Sequence, residues 1–174
     1  MQLLLPNPLI RRLLRELRRA GNREIGGLLM GEQVRDEVFL IVDISVQRSG
    51  GDHACFIRHP KDHEKALKKF FARTGNDYTR FNYLGEWHSH PSFEPIPSDT
   101  DVRTMQSMVA DPTVGANFLV LLIAKQDHAK RLQATATVFS ANSRPLLVPL
   151  QIDAAPHVAE GGMLTRWFRR IFSF

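Results

Sequence analysis

Two histidines separated by a single residue, His88 and His90, sit in the stretch "GEWHSHPSFEPIPSDTD", which Asp101 closes. In an extended strand residues i and i+2 point to the same side, so both imidazoles are offered on one face. Neutral imidazole is a good ligand for Zn²⁺, and a carboxylate is a common third. Asp101 falls on the first turn of a predicted helix and can return to the strand end across the loop. Pro91, Pro95 and Pro97 limit the conformations that loop must lose on ordering. Three protein ligands leave the fourth tetrahedral position open to water, the arrangement of a catalytic rather than a structural zinc.

A bound Zn²⁺ lowers the pKa of its water and polarises a carbonyl. Amide hydrolysis also needs a base for the water's proton and an acid for the leaving amine, and one glutamate near the metal can be both. Glu24, Glu32, Glu86 and Glu94 are the candidates. Glu24 opens the run "EIGGLLMG", where Gly26 and Gly27 remove side-chain bulk and allow a close approach to the backbone. Glu86 shares strand parity with the two histidines, so a supporting role beside the ligands is also open to it. Ser98 suits a helix N-cap, and Asp99 reads as a first-turn acid favoured by the helix dipole rather than a ligand. His53, Cys55, His59 and His63 raise a second metal site. Against it, His63 lies beyond Pro60 in a predicted helix, and Cys55 reads as a small buried residue.

The elements that must position these residues follow from hydrophobic periodicity. "PNPLIRRLLRELRRAG" predicts a helix with Leu9, Ile10, Leu13, Leu14 and Leu17 on one face and Gly21 at its end. "EIGGLLMGEQV" and "VFLIVDISVQ" predict strands joined near Asp36, and "ACFIR" a short one. "HPKDHEKALKKFFARTG" predicts a second helix with Ala66, Leu67, Phe70 and Phe71 inward. "FNYLGEWHSH" predicts the strand entering the metal loop, and "SDTDVRTMQSMVAD" the helix leaving it. "ANFLVLLIAK", nearly all apolar, predicts a central strand, followed by "RLQATATVFS". "RPLLVPLQI" predicts an edge strand broken by Pro149. The class is α/β or α+β, helices packed on a mostly β core.

Residues 153–162, "DAAPHVAEGG", read as a linker after a domain of residues 1–152. Residues 163–174 read as a basic-aromatic helix, with Leu164, Trp167, Phe168, Ile171 and Phe172 in one expected stripe and arginines between. It docks on its own domain, on a partner or on a membrane surface. Of the net charge of +5, residues 1–20 supply +4 and residues 163–174 supply +3, so the body between is slightly acidic. That argues against nucleic acid as a partner. The single cysteine, Cys55, excludes an intrachain disulfide and fits a reducing, cytoplasmic setting. No apolar run is long enough to span a bilayer, and the N-terminus has no secretory pattern.

Taken together, "EIGGLLMG" from Glu24, "HSHP" from His88 and "SDTD" from Ser98 resemble the signature of the JAMM (MPN-plus, JAB) zinc metalloproteases. The resemblance covers roughly residues 9–140, and "GEWHSHP" is similar to short bacterial members that accompany E1- and E2-like enzymes in antiphage (CBASS-type) and ubiquitin-like conjugation systems. It implies a curved mixed β-sheet flanked by helices, resembling the cytidine deaminase architecture. It implies one catalytic Zn²⁺ on His88, His90 and Asp101, with Glu24 as general acid/base and Ser98 holding the developing oxyanion. The implied activity is cleavage after the tail of a ubiquitin-like protein, freeing it from a target or a precursor. Processing of a sulfur-carrier ubiquitin-like protein, and an inactive MPN-type scaffold, are the alternatives. The five motif positions being present speaks against the scaffold.

Overall fold

The computed structural model describes residues 1–47 and 60–152. Among the described residues, eight strands and three helices follow one another as β1 (Gln2–Leu5), α1 (Asn7–Ala20), β2 (Gly26–Arg35), β3 (Val38–Ile44), α2 (Pro60–Arg73), β4 (Phe81–Ser89), α3 (Asp99–Ala110), β5 (Phe118–Gln126), β6 (Leu132–Ser140), β7 (Leu146–Val148) and β8 (Leu150–Ile152). The strands form one sheet in the order β7-β6-β5-β4-β2-β3-β1-β8. The predicted strand "ACFIR", the linker and the C-terminal helix lie outside the described residues. No helix among the described residues is long and apolar enough to cross a membrane.

The sheet is curved and nearly closed, and its last strands show why. The predicted single edge strand over residues 144–152 is instead two strands on opposite edges. β7 pairs antiparallel with β6, whereas β8 pairs parallel with β1. Only Pro149 separates them in the chain, so the two edges of the sheet must come close together. Pro149 cannot donate to a ladder, but its carbonyl accepts from the Leu3 N–H at 3.0 Å. β1 itself was not read from the sequence. Four residues before a helix carry too short a pattern, and β1 becomes a strand by pairing in parallel with β3.

Helices cover both faces. On one side Leu9, Leu13 and Leu17 of α1 pack with Trp87, Val120, Leu122 and Ala136. On the other, Phe70 of α2 packs with Met30 and Leu40, and Met105 and Val109 of α3 pack on Leu119, Leu121 and Ile123. β5 therefore alternates between two buried faces, which explains its unbroken apolar run. α1 ends at Gly21, whose φ of 63° suits glycine and whose N–H returns to the Leu17 carbonyl at 3.1 Å.

Two devices set the direction of β4. Opposite Leu29 and Met30 of β2, β4 carries one extra residue, Leu84, which makes a β-bulge. Gly85 follows with φ of 139°, and a Cβ there would meet the Val120 carbonyl at 2.1 Å. From Gly85 to Ser89 the strand then runs parallel to β5.

Asp43 of β3 ties both flanking helices to the sheet. Its carboxylate accepts from Arg12 of α1 at 2.7 Å, from Arg73 of α2, and from the Ile44 N–H at 2.8 Å. Both arginines are partly exposed, which tempers the cost of losing the anion. Asp43→Ala is expected to lower stability by about 2 kcal/mol, seen as a fall of roughly 4–8 °C in Tm. An unchanged melting curve would show that the three donors are satisfied equally well by water.

Candidate metal centre

The parallel pairing of β4 with β5 is what makes the site. Parallel strands need a crossover, and here the crossover is the loop after His90 and then α3. The N-terminus of α3 consequently returns to the C-terminal end of β4. Trp87 packs toward α1, so alternation turns Glu86, His88 and His90 to the face that α3 covers.

There, the Nε2 atoms of His88 and His90 lie 3.1 Å apart. Asp101 Oδ1 is 3.4 Å from His88 Nε2, and Asp101 Oδ2 is 3.7 Å from His90 Nε2. Tetrahedral donors bonded at about 2.0–2.1 Å to one ion stand about 3.3–3.4 Å from each other. The donor set and its spacing therefore fit a divalent cation such as Zn²⁺. Among the described residues this is the one cluster of histidine and acid side chains close enough to share an ion. His53, Cys55 and His59 lie outside the described residues, and His63 sits in α2, away from this cluster.

Two of the three candidate ligands, His90 and Asp101, are held from behind. His90 Nδ1 lies 3.0 Å from the Glu94 carbonyl, an acceptor, so its proton belongs on Nδ1 and the lone pair on Nε2. Burial pushes the His90 imidazole below its ordinary pKa, against the pull of the Glu94 carbonyl and Asp101, and keeps it neutral. Ser98 forms a capping box with Asp101: the Ser98 N–H and Oγ–H both donate to Asp101 Oδ2, at 2.8 and 2.6 Å, and the Asp101 N–H donates to Ser98 Oγ at 3.2 Å. Burial alone would raise the Asp101 carboxyl. His88, by hydrogen bond and charge, and Ser98 outweigh it and hold that carboxyl well below the usual range. Asp99 is exposed on the same first turn and outside the cluster.

The loop between the ligands is pinned at its backbone. Lys125 Nζ donates to the Phe93 carbonyl at 3.2 Å and pairs with Glu94 at 3.0 Å. Thr135 Oγ1 donates to the Pro95 carbonyl, and the Ile96 N–H to the Glu94 carbonyl at 2.8 Å. Sequence reasoning missed Lys125 and Thr135, because nothing local marks them; they belong to β5 and β6, more than thirty residues away.

The four glutamates separate cleanly. Glu32 is spoken for at the far end of β2, where Arg80 Nε donates to it at 2.6 Å. The Glu94 side chain is 75% exposed and paired with Lys125. Glu24 is 6% exposed. The next residue, Ile25, exchanges backbone and side-chain bonds with Ser89, its N–H donating to Ser89 Oγ at 3.0 Å and its carbonyl accepting from the Ser89 N–H at 2.8 Å. Glu24 thus directly precedes the residue bonded to Ser89, which lies between the two histidines. Glu86 is also buried, on the face of the histidines, but it pairs with Leu28 and Leu121, one pair deeper than His88. The close approach expected at the glycine pair is made at Gly27 by the chain itself: a Cβ there would meet the Ser45 carbonyl at 2.2 Å. Gly26 is the register partner of His88.

Residues 6–137 match the family described as prokaryotic homologs of the JAB domain. The chain is similar to a Vibrio cholerae protein named CD-NTase/cGAS isopeptidase, 31% identical over 121 residues that cover 67% of this chain and 72% of the relative. It is also similar to a protein of the same name from Enterobacter hormaechei, 27% identical over 137 residues, covering 79% and 74%. Among solved structures it is similar to a Desulfitobacterium hafniense protein, with TM-score 0.68 and 18% identity over 90% of this chain and 97% of that one. A Salinibacter ruber protein aligns with TM-score 0.56 and 17% identity, over 91% and 95%. At these identities the two structures speak to the fold alone.

Proposed function

The chain belongs to the prokaryotic JAB-domain family, and from that premise we propose that it is a zinc-dependent isopeptidase or peptidase. Its substrate is a ubiquitin-like protein joined through its C-terminal tail to a target, and the names of its relatives make a CD-NTase of an antiphage system the first target to try. The E1- and E2-like enzymes of such a system would supply the conjugate. The observation that carries the reading is the convergence of three donor atoms from His88, His90 and Asp101 at the spacing a tetrahedral ion requires.

When bound, the ion supplies Lewis acidity toward a water molecule and the scissile carbonyl. Around it, His88 and His90 would offer ring nitrogens, and Asp101 a carboxylate that Ser98 keeps aimed. Glu24 accepts the proton of the attacking water and passes it to the amine as the C–N bond breaks. Water's oxygen ends on the carbonyl carbon, and the tail leaves as a carboxylate. Ser98 has one hydroxyl proton, and in this structure it is given to Asp101. Donation to the developing oxyanion requires that bond to be released as charge builds on the substrate oxygen.

The test is cleavage of a ubiquitin-like protein fused through its tail to a CD-NTase, before and after chelation. Activity lost on chelation and restored by Zn²⁺ is the expected result. Cleavage that survives complete metal removal, or a zinc-loaded protein that leaves every such fusion intact, would refute the reading.

A further inference from the structure

Phe93 and Ile96 are 57% and 58% exposed, on the loop that joins the second ligand to the helix carrying the third. They are not exposed because the loop is loose: its backbone is bound to Lys125, Thr135 and His90. A pinned loop that still projects two large apolar side chains beside a reaction centre is a surface kept for a ligand. The Phe93 ring stands edge-on to the His90 ring, with centroids 6.4 Å apart. Pro95 between them is buried, so the two exposed side chains flank a fixed point.

Resting on the isopeptidase reading, we propose that Phe93 and Ile96 form an apolar shelf that selects the acceptor side of the scissile bond, by gripping an apolar side chain next to the amide nitrogen. The opposite flank belongs to the acyl arm. On the β2 side, the register partner of His88 is Gly26, which has no side chain. In this proposal the arm that brings its carbonyl to the site comes from the Gly26 side, and the amine arm leaves across the loop, over Phe93 and Ile96.

Two fusions of a ubiquitin-like protein, identical except for Leu or Ser directly after the scissile bond, provide the probes. The zinc-loaded protein should cleave the Leu fusion with kcat/KM at least about tenfold above the Ser fusion, the discrimination one apolar contact supplies. Phe93→Ala and Ile96→Ala should each shrink that ratio, through KM and with zinc content equal to the parent's. The same Leu-over-Ser ratio should appear in binding to E24Q protein, measured by titration. Cleavage of both fusions at equal efficiency would overturn the shelf and leave the isopeptidase reading standing. Preferential binding of the Leu fusion without any cleavage would keep the shelf and overturn the isopeptidase reading. Variants that retain the full ratio in both measurements would overturn the shelf.

Discussion

Glu24→Gln is expected to keep the metal-binding capacity of the parent and to lose turnover by about 10²–10⁴-fold, the range a positioned general acid/base contributes. The substitution preserves size and hydrogen-bonding outline while removing the group that takes and returns a proton. Glu24 is buried just ahead of β2, next to Ile25, which bonds Ser89 between the two histidines. Both kcat and kcat/KM should fall together, because proton transfer belongs to the transition state and not to substrate binding. Zinc stoichiometry and melting temperature should match the parent. The discriminating control is Glu86→Gln. Glu86 is a buried carboxylate on the face of the histidines, one pair deeper along β4. If Glu24→Gln cleaves at the parental rate while Glu86→Gln does not, the proton carrier is Glu86.

Asp101→Ala is expected to lose the ion altogether under conditions where the parent holds it. Removing the carboxylate takes away one of three donors and the only negative charge among them. It also breaks the capping box of α3, because both bonds that Ser98 gives to Asp101 Oδ2 disappear. The expected fall in zinc affinity exceeds the 10–100-fold cost typical of losing an outer partner alone. Ser98→Ala removes only the hydroxyl latch and should sit within that smaller range. Competition against a chromophoric chelator reads the affinities, and far-UV circular dichroism checks that α3 persists. An Asp101→Ala protein with parental affinity would mean that the carboxylate is not a ligand.

Much of this was legible in order along the chain. The His-x-His pair announced one face of a strand because β alternation has a period of two, and β4 carries it. Ser98 announced the start of α3 because a short side chain that accepts a backbone N–H competes well only at a helix end. The three helices and the strands from β2 to β6 fell where periodicity put them. Other features left no local trace. β1 is four residues long and is a strand only because β3 lies beside it. Residues 144–152 read as one edge, but the curvature of the sheet sends the chain to two edges across Pro149. Gly27 looked like room for a ligand and is room for Ser45.

Residue types and their spacing along the chain already name the side chains able to ligate, the strand face that carries two of them, and the helix end that carries the third. Those are consequences of spacing over a few residues, which φ/ψ geometry converts directly into direction. That Asp101 comes within reach of the histidines is settled by folding alone, because it depends on α3 being the crossover between two parallel strands. Folding also decides which glutamates are spent elsewhere, since Arg80 and Lys125 approach Glu32 and Glu94 through packing rather than through sequence. Distances of 3 to 4 Å between groups far apart in the chain are set by register, bulges and sheet closure, and no local pattern encodes them.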